Sequence, residues 1–211
     1  MWSHLLLFAA AATGVAAIWL ERNERRHTAF YALKPLTTLL IGAAAGVALR
    51  SDWHYQAWVL AALVLSLAGD VCLMFEDERW FVAGLSSFLL AHAGFVAAFL
   101  SGVSQVELPG WLALVVLYAA VLLWAMLPRA GALKLPVLLY CVVLGAMVFA
   151  AAARFEALPG RASRLALAGA LLFLFSDSAL GLRRFVRRYR HAQPVILATY
   201  WTAIGLIAAS V

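Results

Sequence analysis

The chain has 211 residues, 66% hydrophobic and 12% charged, with a mean hydropathy of +0.94. Soluble domains run at about one half apolar and about one quarter charged, so this composition excludes one, and the continuous apolar runs exclude a β-barrel of short alternating segments. The net charge of +6 does not point to nucleic acid, because the Arg residues fall in short loops, where positive charge sets membrane orientation.

At about 20 residues per span, the chain has room for roughly eight helices and little else. The expected fold is all-α: a polytopic integral membrane bundle of about eight transmembrane helices with short loops, residues 1–211 forming a single transmembrane domain. The spans read 2–20, 30–49, 55–75, 80–101, 110–127, 135–154, 163–182 and 194–211. The first lacks the basic stretch of a signal peptide and reads as a retained helix. The second opens on Lys34-Pro35-Leu36-Thr37-Thr38. All six prolines are expected at or near span ends, where a missing N–H costs least.

The third span carries Asp70 and the seventh Asp177, each inside a long apolar run. A carboxylate deep in a bilayer costs about 2.5–3.5 kcal/mol or more, so a chain that keeps two of them is expected to use them. Their small neighbours, Gly69 and Ser176, allow close helix approach. On the fourth span Gly84, Phe88, His92 and Phe95 step by four, four and three and share one helix face. The sixth span places Tyr140 near its start, and the eighth places Tyr200. Spans three and seven share Leu-x-x-Asp-x-x-Leu, a match too short to establish a duplication.

Counting Lys and Arg, twelve fall in odd-numbered loops and four in even-numbered ones, which puts the odd loops in the cytoplasm and both termini outside. A bacterial inner membrane is the expected location. Asp70 then lies about 7–8 Å from the inner end of its span at the helical rise. Asp177, Lys34, Tyr140 and Tyr200 lie in the same half of the membrane, and His92 lies deeper. Scattered defects do not cluster by depth, so the reading is one polar cavity open toward the cytoplasmic leaflet. One protonated and one ionised carboxyl in such a cavity is what general acid–base hydrolysis needs.

Each residue also has a plainer reading. The acids can form an interhelix clamp to Lys34, Arg183 or a tyrosine. Lys34 can be a snorkelling anchor, His92 a core histidine, and the tyrosines belt residues. The arginines from Arg183 to Arg190 read as an anchor to anionic lipid. Histidines 4, 27, 54 and 191 lie in or near loops and cannot complete a metal site with His92, and Cys72 and Cys141 fall within spans with no disulfide spacing. No metal or cofactor is expected. The residues alone leave open a hydrolase, a proton-coupled transporter of a small or lipidic solute, and a non-catalytic lipid-binding scaffold. Against the transporter, no matched pair of spans is broken by Gly or Pro.

Taken together, Lys34-Pro35-Leu36-Thr37-Thr38, Gly69-Asp70-Val71-Cys72-Leu73-Met74, Phe88-Leu89-Leu90-Ala91-His92, Gly169-Ala170-Leu171-Leu172-Phe173 with Ser176-Asp177, and Tyr200 resemble the YhhN family of membrane lysoplasmalogenases. The resemblance runs from the second span to the eighth. Where that family often has a tyrosine three residues after its histidine and a glutamine four after the last-span tyrosine, this chain has Phe95 and Ile204. The resemblance implies hydrolysis of the vinyl-ether bond of a lysoplasmalogen to a fatty aldehyde and glycerophosphocholine or glycerophosphoethanolamine. It implies Asp70 and Asp177 as acid and base in an order the sequence leaves open. His92 and Tyr200 would orient water or glycerol oxygens, and Lys34 would hold the phosphate. Tyr140, Phe88 and Phe173 complete the expected substrate contacts. The expected partners are the lysophospholipid and membrane lipids, with no nucleic acid.

Overall fold

The computed structural model describes residues 2–22, 28–48 and 52–211, the side chain of Arg22 excepted. Expectations that fall on residues 23–27 and 49–51, among them the loop arginines Arg25, Arg26 and Arg50, His27, and the Leu49 end of the second span, lie outside the described residues. Among the described residues eight α-helices follow in chain order: α1 Trp2–Arg22, α2 Thr28–Gly46, α3 Trp53–Cys72, α4 Glu78–Leu100, α5 Leu112–Met126, α6 Lys134–Ala157, α7 Arg161–Gly181 and α8 Ala192–Ala208. Seven are long and apolar enough to cross a membrane, and α8 is a shorter apolar helix. Among the described residues there is no strand. The protein is a polytopic all-α integral membrane protein.

The helix ends follow local chemistry. Asp52 caps α3 by accepting from the Tyr55 N–H at 3.0 Å, and Asp77 caps α4 by accepting from the Arg79 N–H at 2.7 Å. Each cap satisfies a donor that the helix cannot pair itself. Gly102, just past α4, has φ 73°, a left-handed turn that a side chain would resist. Pro35 differs from expectation, because α2 starts at Thr28 and runs straight through it, placing this proline inside the helix. Its ring leaves the ladder one bond short there.

Phe8, Leu39, Val64, Leu90 and Leu114 expose large apolar side chains outward, as lipid contact requires. Six tryptophans, Trp2, Trp19, Trp53, Trp80, Trp111 and Trp124, are exposed at or near helix ends, where indole prefers the membrane–water boundary. Inside, α1–α2, α3–α4 and α7–α8 form tight hairpins, and α2, α3, α4, α6, α7 and α8 close into a ring. Outside that ring, α5 leans on α6 and on the π-helical turn Leu182–Val186 that continues α7.

Small residues let the backbones close up. A Cβ at Gly169 would stand 2.6 Å from Ile207 Cγ1 and 2.8 Å from the Ala203 carbonyl of α8. The second contact is backbone and cannot rotate away. Gly169→Leu is therefore expected to lower stability by about 1–3 kcal/mol, the usual cost of overpacking. Thermal unfolding of the purified variant measures it, and an unchanged melting temperature contradicts the packing described here.

Candidate active site

The inward faces of α2, α3, α4, α6, α7 and α8 build the site. On α2, Phe30, Lys34, Thr37, Thr38 and Ile41 are buried at helical spacing, so Lys34 and Thr38 sit one turn apart on the same face. Across from them α3 presents Ser66, Gly69 and Asp70. A Cβ at Gly69 would lie 2.6 Å from the Phe88 ring, so the missing side chain is what lets Phe88 of α4 lie beside the acid. Tyr200 comes from α8, and Asp177 from the last turn of α7.

Asp70 is 2% exposed and heavily partnered. Its Oδ2 accepts from the Thr38 hydroxyl at 2.6 Å and from the Tyr200 phenol at 2.8 Å. The Lys34 ammonium donates to the Asp70 main-chain carbonyl at 2.9 Å and lies 3.6 Å from Oδ1. The Trp201 indole donates to Thr38 at 3.3 Å and fixes that hydroxyl in turn. Every contact presents a donor to the carboxylate, which is what an ionised carboxyl accepts.

Asp177 has a different setting. Tyr140 of α6 donates to its Oδ2, and this is its one hydrogen-bond donor among the described residues. His92 Nε2 stands 3.5 Å from the same oxygen, and neither ring nitrogen of His92 has a protein hydrogen-bond partner. That imidazole is fully buried, and a buried polar group without a partner costs free energy. Ser176, beside Asp177, donates to the Ile196 carbonyl at 3.0 Å and ties α7 to α8.

One cavity of about 300 Å³ joins the two acids, lined by Asp70, Asp177, Lys34, Tyr200 and Phe88 at its base. Its mouth carries Glu21, Glu76, Arg183, Arg184 and Arg188. These mouth residues belong to the ends of odd-numbered loops, so the cavity opens at the end of the bundle where those loops lie. Tyr140 and His92 reach the cavity through Asp177 rather than lining it. Phe173 has no face on it: the ring is fully buried and packs edge-on against all three neighbours, with centroids 4.6 Å from His92, 5.4 Å from Tyr200 and 6.3 Å from Phe88, while Phe88 and Tyr200 also touch each other at 5.6 Å. Lys34, read from sequence as a phosphate holder or as the partner of an intramembrane acid, lines the cavity with its ammonium on Asp70. Phe95 and Ile204, where the resemblance has polar residues, are fully buried in the apolar core.

Sequence reasoning gave three groups no place in the site. Thr38 and Trp201 complete the Asp70 network, and Thr38 was quoted only as part of the motif that opens at Lys34. Arg184 and Arg188 read as a lipid anchor, yet both line the mouth, with the Arg184 guanidinium 4.4 Å over the Phe81 ring. Among the described residues no three His, Cys, Asp or Glu side chains converge as a metal site.

The model of the YhhN family matches residues 29–211. Over 161 residues the chain is 34% identical to lysoplasmalogenase TMEM86B of Sus scrofa, covering 74% of this chain and 64% of that protein. It is 36% identical over 160 residues to lysoplasmalogenase TMEM86B of Homo sapiens, covering 74% and 64%. It is 36% identical over 139 residues to a lysoplasmalogenase of Mycobacterium tuberculosis (strain CDC 1551 / Oshkosh), covering 62% and 51%. The match thus spans somewhat under two thirds of the length of these relatives. No solved structure matches the chain significantly.

Proposed function

The chain belongs to the YhhN family, and from that membership we propose that it hydrolyses the vinyl-ether bond of lysoplasmenyl-choline or lysoplasmenyl-ethanolamine, releasing a fatty aldehyde and the glycerophospho-alcohol. The observation that carries the proposal is the pair of carboxyls on one cavity, one held by a cation and the other not. The relatives' names support the same reading and give the transporter alternative no support.

The asymmetry supports one order of roles. Asp177, with a single phenol donor and no Lys or Arg paired with it among the described residues, takes the part of the acid. Its proton adds to the β carbon of the vinyl ether and leaves an oxocarbenium ion. Asp70, paired with Lys34, stabilises that cation and takes a proton from the water that attacks the α carbon. The hemiacetal then collapses: Asp70 returns its proton to the departing glycerol oxygen, and the hydroxyl proton goes back to Asp177. The sum is one vinyl ether plus one water giving one aldehyde plus one alcohol. Tyr200, on the cavity wall, orients the water, and His92 acts through Asp177, 3.5 Å from its carboxyl. Lys34 acts on Asp70, and the phosphate lies toward Arg184 and Arg188 at the mouth, where guanidinium matches a phosphate oxygen pair. The helices form one domain, and the mouth faces the cytoplasm of a bacterial inner membrane with both termini on the other side.

Purified protein in vesicles without any ion gradient is expected to release aldehyde from a lysoplasmalogen and none from the saturated alkyl-ether analogue. In deuterated water the aldehyde, trapped by reduction as it forms, is expected to carry one deuterium next to its former carbonyl carbon. Absence of aldehyde refutes the hydrolase. Solute uptake that requires a pH gradient supports the transporter instead.

A further inference from the structure

Asp177 borders more than the polar cavity. Beside it a neck of about 60 Å³ runs between α4, α5, α6 and α7, sharing Phe81, Asp177 and Leu180 with the cavity. The neck leads into a groove of about 640 Å³ between α4, α5 and α6, and the two share Val115, Ala119, Cys141 and Gly145. The groove walls are apolar throughout apart from Cys141, and they open sideways because α5 stands outside the helix ring. Along α4 the path runs from Leu85 in the neck to Leu100 at the groove's far end. Fifteen residues at the helical rise make about 22 Å. A lipid chain has about half of a 30 Å bilayer core to cross, so a path of this length holds a whole chain.

We propose that the hydrocarbon chain of a single-chain lipid lies in this path, its first carbons in the neck beside Asp177 and its tail between α4, α5 and α6. This rests on the hydrolase reading and extends it. It places the polar head on the Asp70 side and the chain on the other, so the scissile bond falls at the boundary that Asp177 occupies. It also makes α5 and α6 the ruler of chain length. At Gly145 a Cβ meets no atom within 4 Å, so the groove has space there that a side chain would fill.

Two measurements test it. Gly145→Leu fills the groove midway, and Ala119→Leu narrows its junction with the neck. Either is expected to lower kcat/KM for a long-chain lysoplasmalogen by about 10-fold or more relative to a short-chain one, the scale on which apolar pockets discriminate. Leu114→Phe, on the lipid-facing side of α5, is the control and leaves the chain-length profile as in the parent. An unaltered profile in both groove variants overturns the proposal. The second measurement needs no turnover: an alkyl-ether lysophospholipid with a photoreactive diazirine near its chain end is irradiated with the protein. Label within residues 96–108, 116–123 and 142–150, competed away by unlabelled lysolipid, supports the groove. Label on α1, α2 or α8, or spread evenly over outward faces, overturns it. Label in the groove without aldehyde release sinks the hydrolase reading alone, and aldehyde release with label elsewhere sinks the groove alone.

Discussion

Asp177→Asn is expected to lower aldehyde release by about 10²–10⁴-fold, the usual contribution of a positioned general acid. The asparagine keeps the shape and still accepts from Tyr140, but it has no proton to give to the β carbon. Among the described residues no Lys or Arg pairs with Asp177, so the neutral amide strands no lysine or arginine charge. The melting temperature should stay close to that of the parent, and the loss should fall on kcat rather than on binding. Near-normal turnover by this variant removes Asp177 from the chemistry. A fall in melting temperature with a proportional fall in activity gives it a structural role only.

Asp70→Asn is expected to act twice. Turnover falls by a factor of similar size, since the group that steadies the oxocarbenium ion and activates water is gone. The Lys34 ammonium, 4% exposed, also loses its countercharge. Removing one partner of a buried pair costs about 3–5 kcal/mol, because the remaining charge is left uncompensated. Lys34→Met with Asp70→Asn then separates the two effects. The double variant is expected to regain most of the lost thermal stability, because no buried charge remains, yet to stay inactive. Recovery of activity along with stability makes Asp70 a clamp, the plainer reading that its sequence context also allowed. That clamp is physically present, as Thr38 and Tyr200 donate to the carboxylate and Lys34 pairs with it while donating to the Asp70 main-chain carbonyl. The question left to the double variant is whether holding the helices together is all it does.

The acids were legible from sequence because of where they stand. An aspartate inside an apolar run has no solvent to hide in, so its cost is visible without coordinates. The shared face of Gly84, Phe88, His92 and Phe95 was legible for a similar reason, since helical periodicity fixes it, and all four are buried in the structure. Pro35 was misplaced because the sequence gives no sharp start for α2. Its first turn, Thr28 to Tyr31, carries no acidic residue to mark it.

Composition, apolar run length and the position of charge thus determined by themselves that this chain is a bundle of membrane helices with two costly carboxyls at one depth. These are properties of each segment in its solvent, and the bilayer imposes them one helix at a time. The pairing of side chains across helices was decided only by the tertiary structure. That Lys34 turns to Asp70, that Phe173 packs behind the site against His92, Tyr200 and Phe88, that the arginines crown the cavity and that α5 stands aside from the ring all depend on how helices rotate about their axes and which glycines let them touch. Rotation is set by packing between segments distant in sequence, and a single chain read end to end carries no local mark of it.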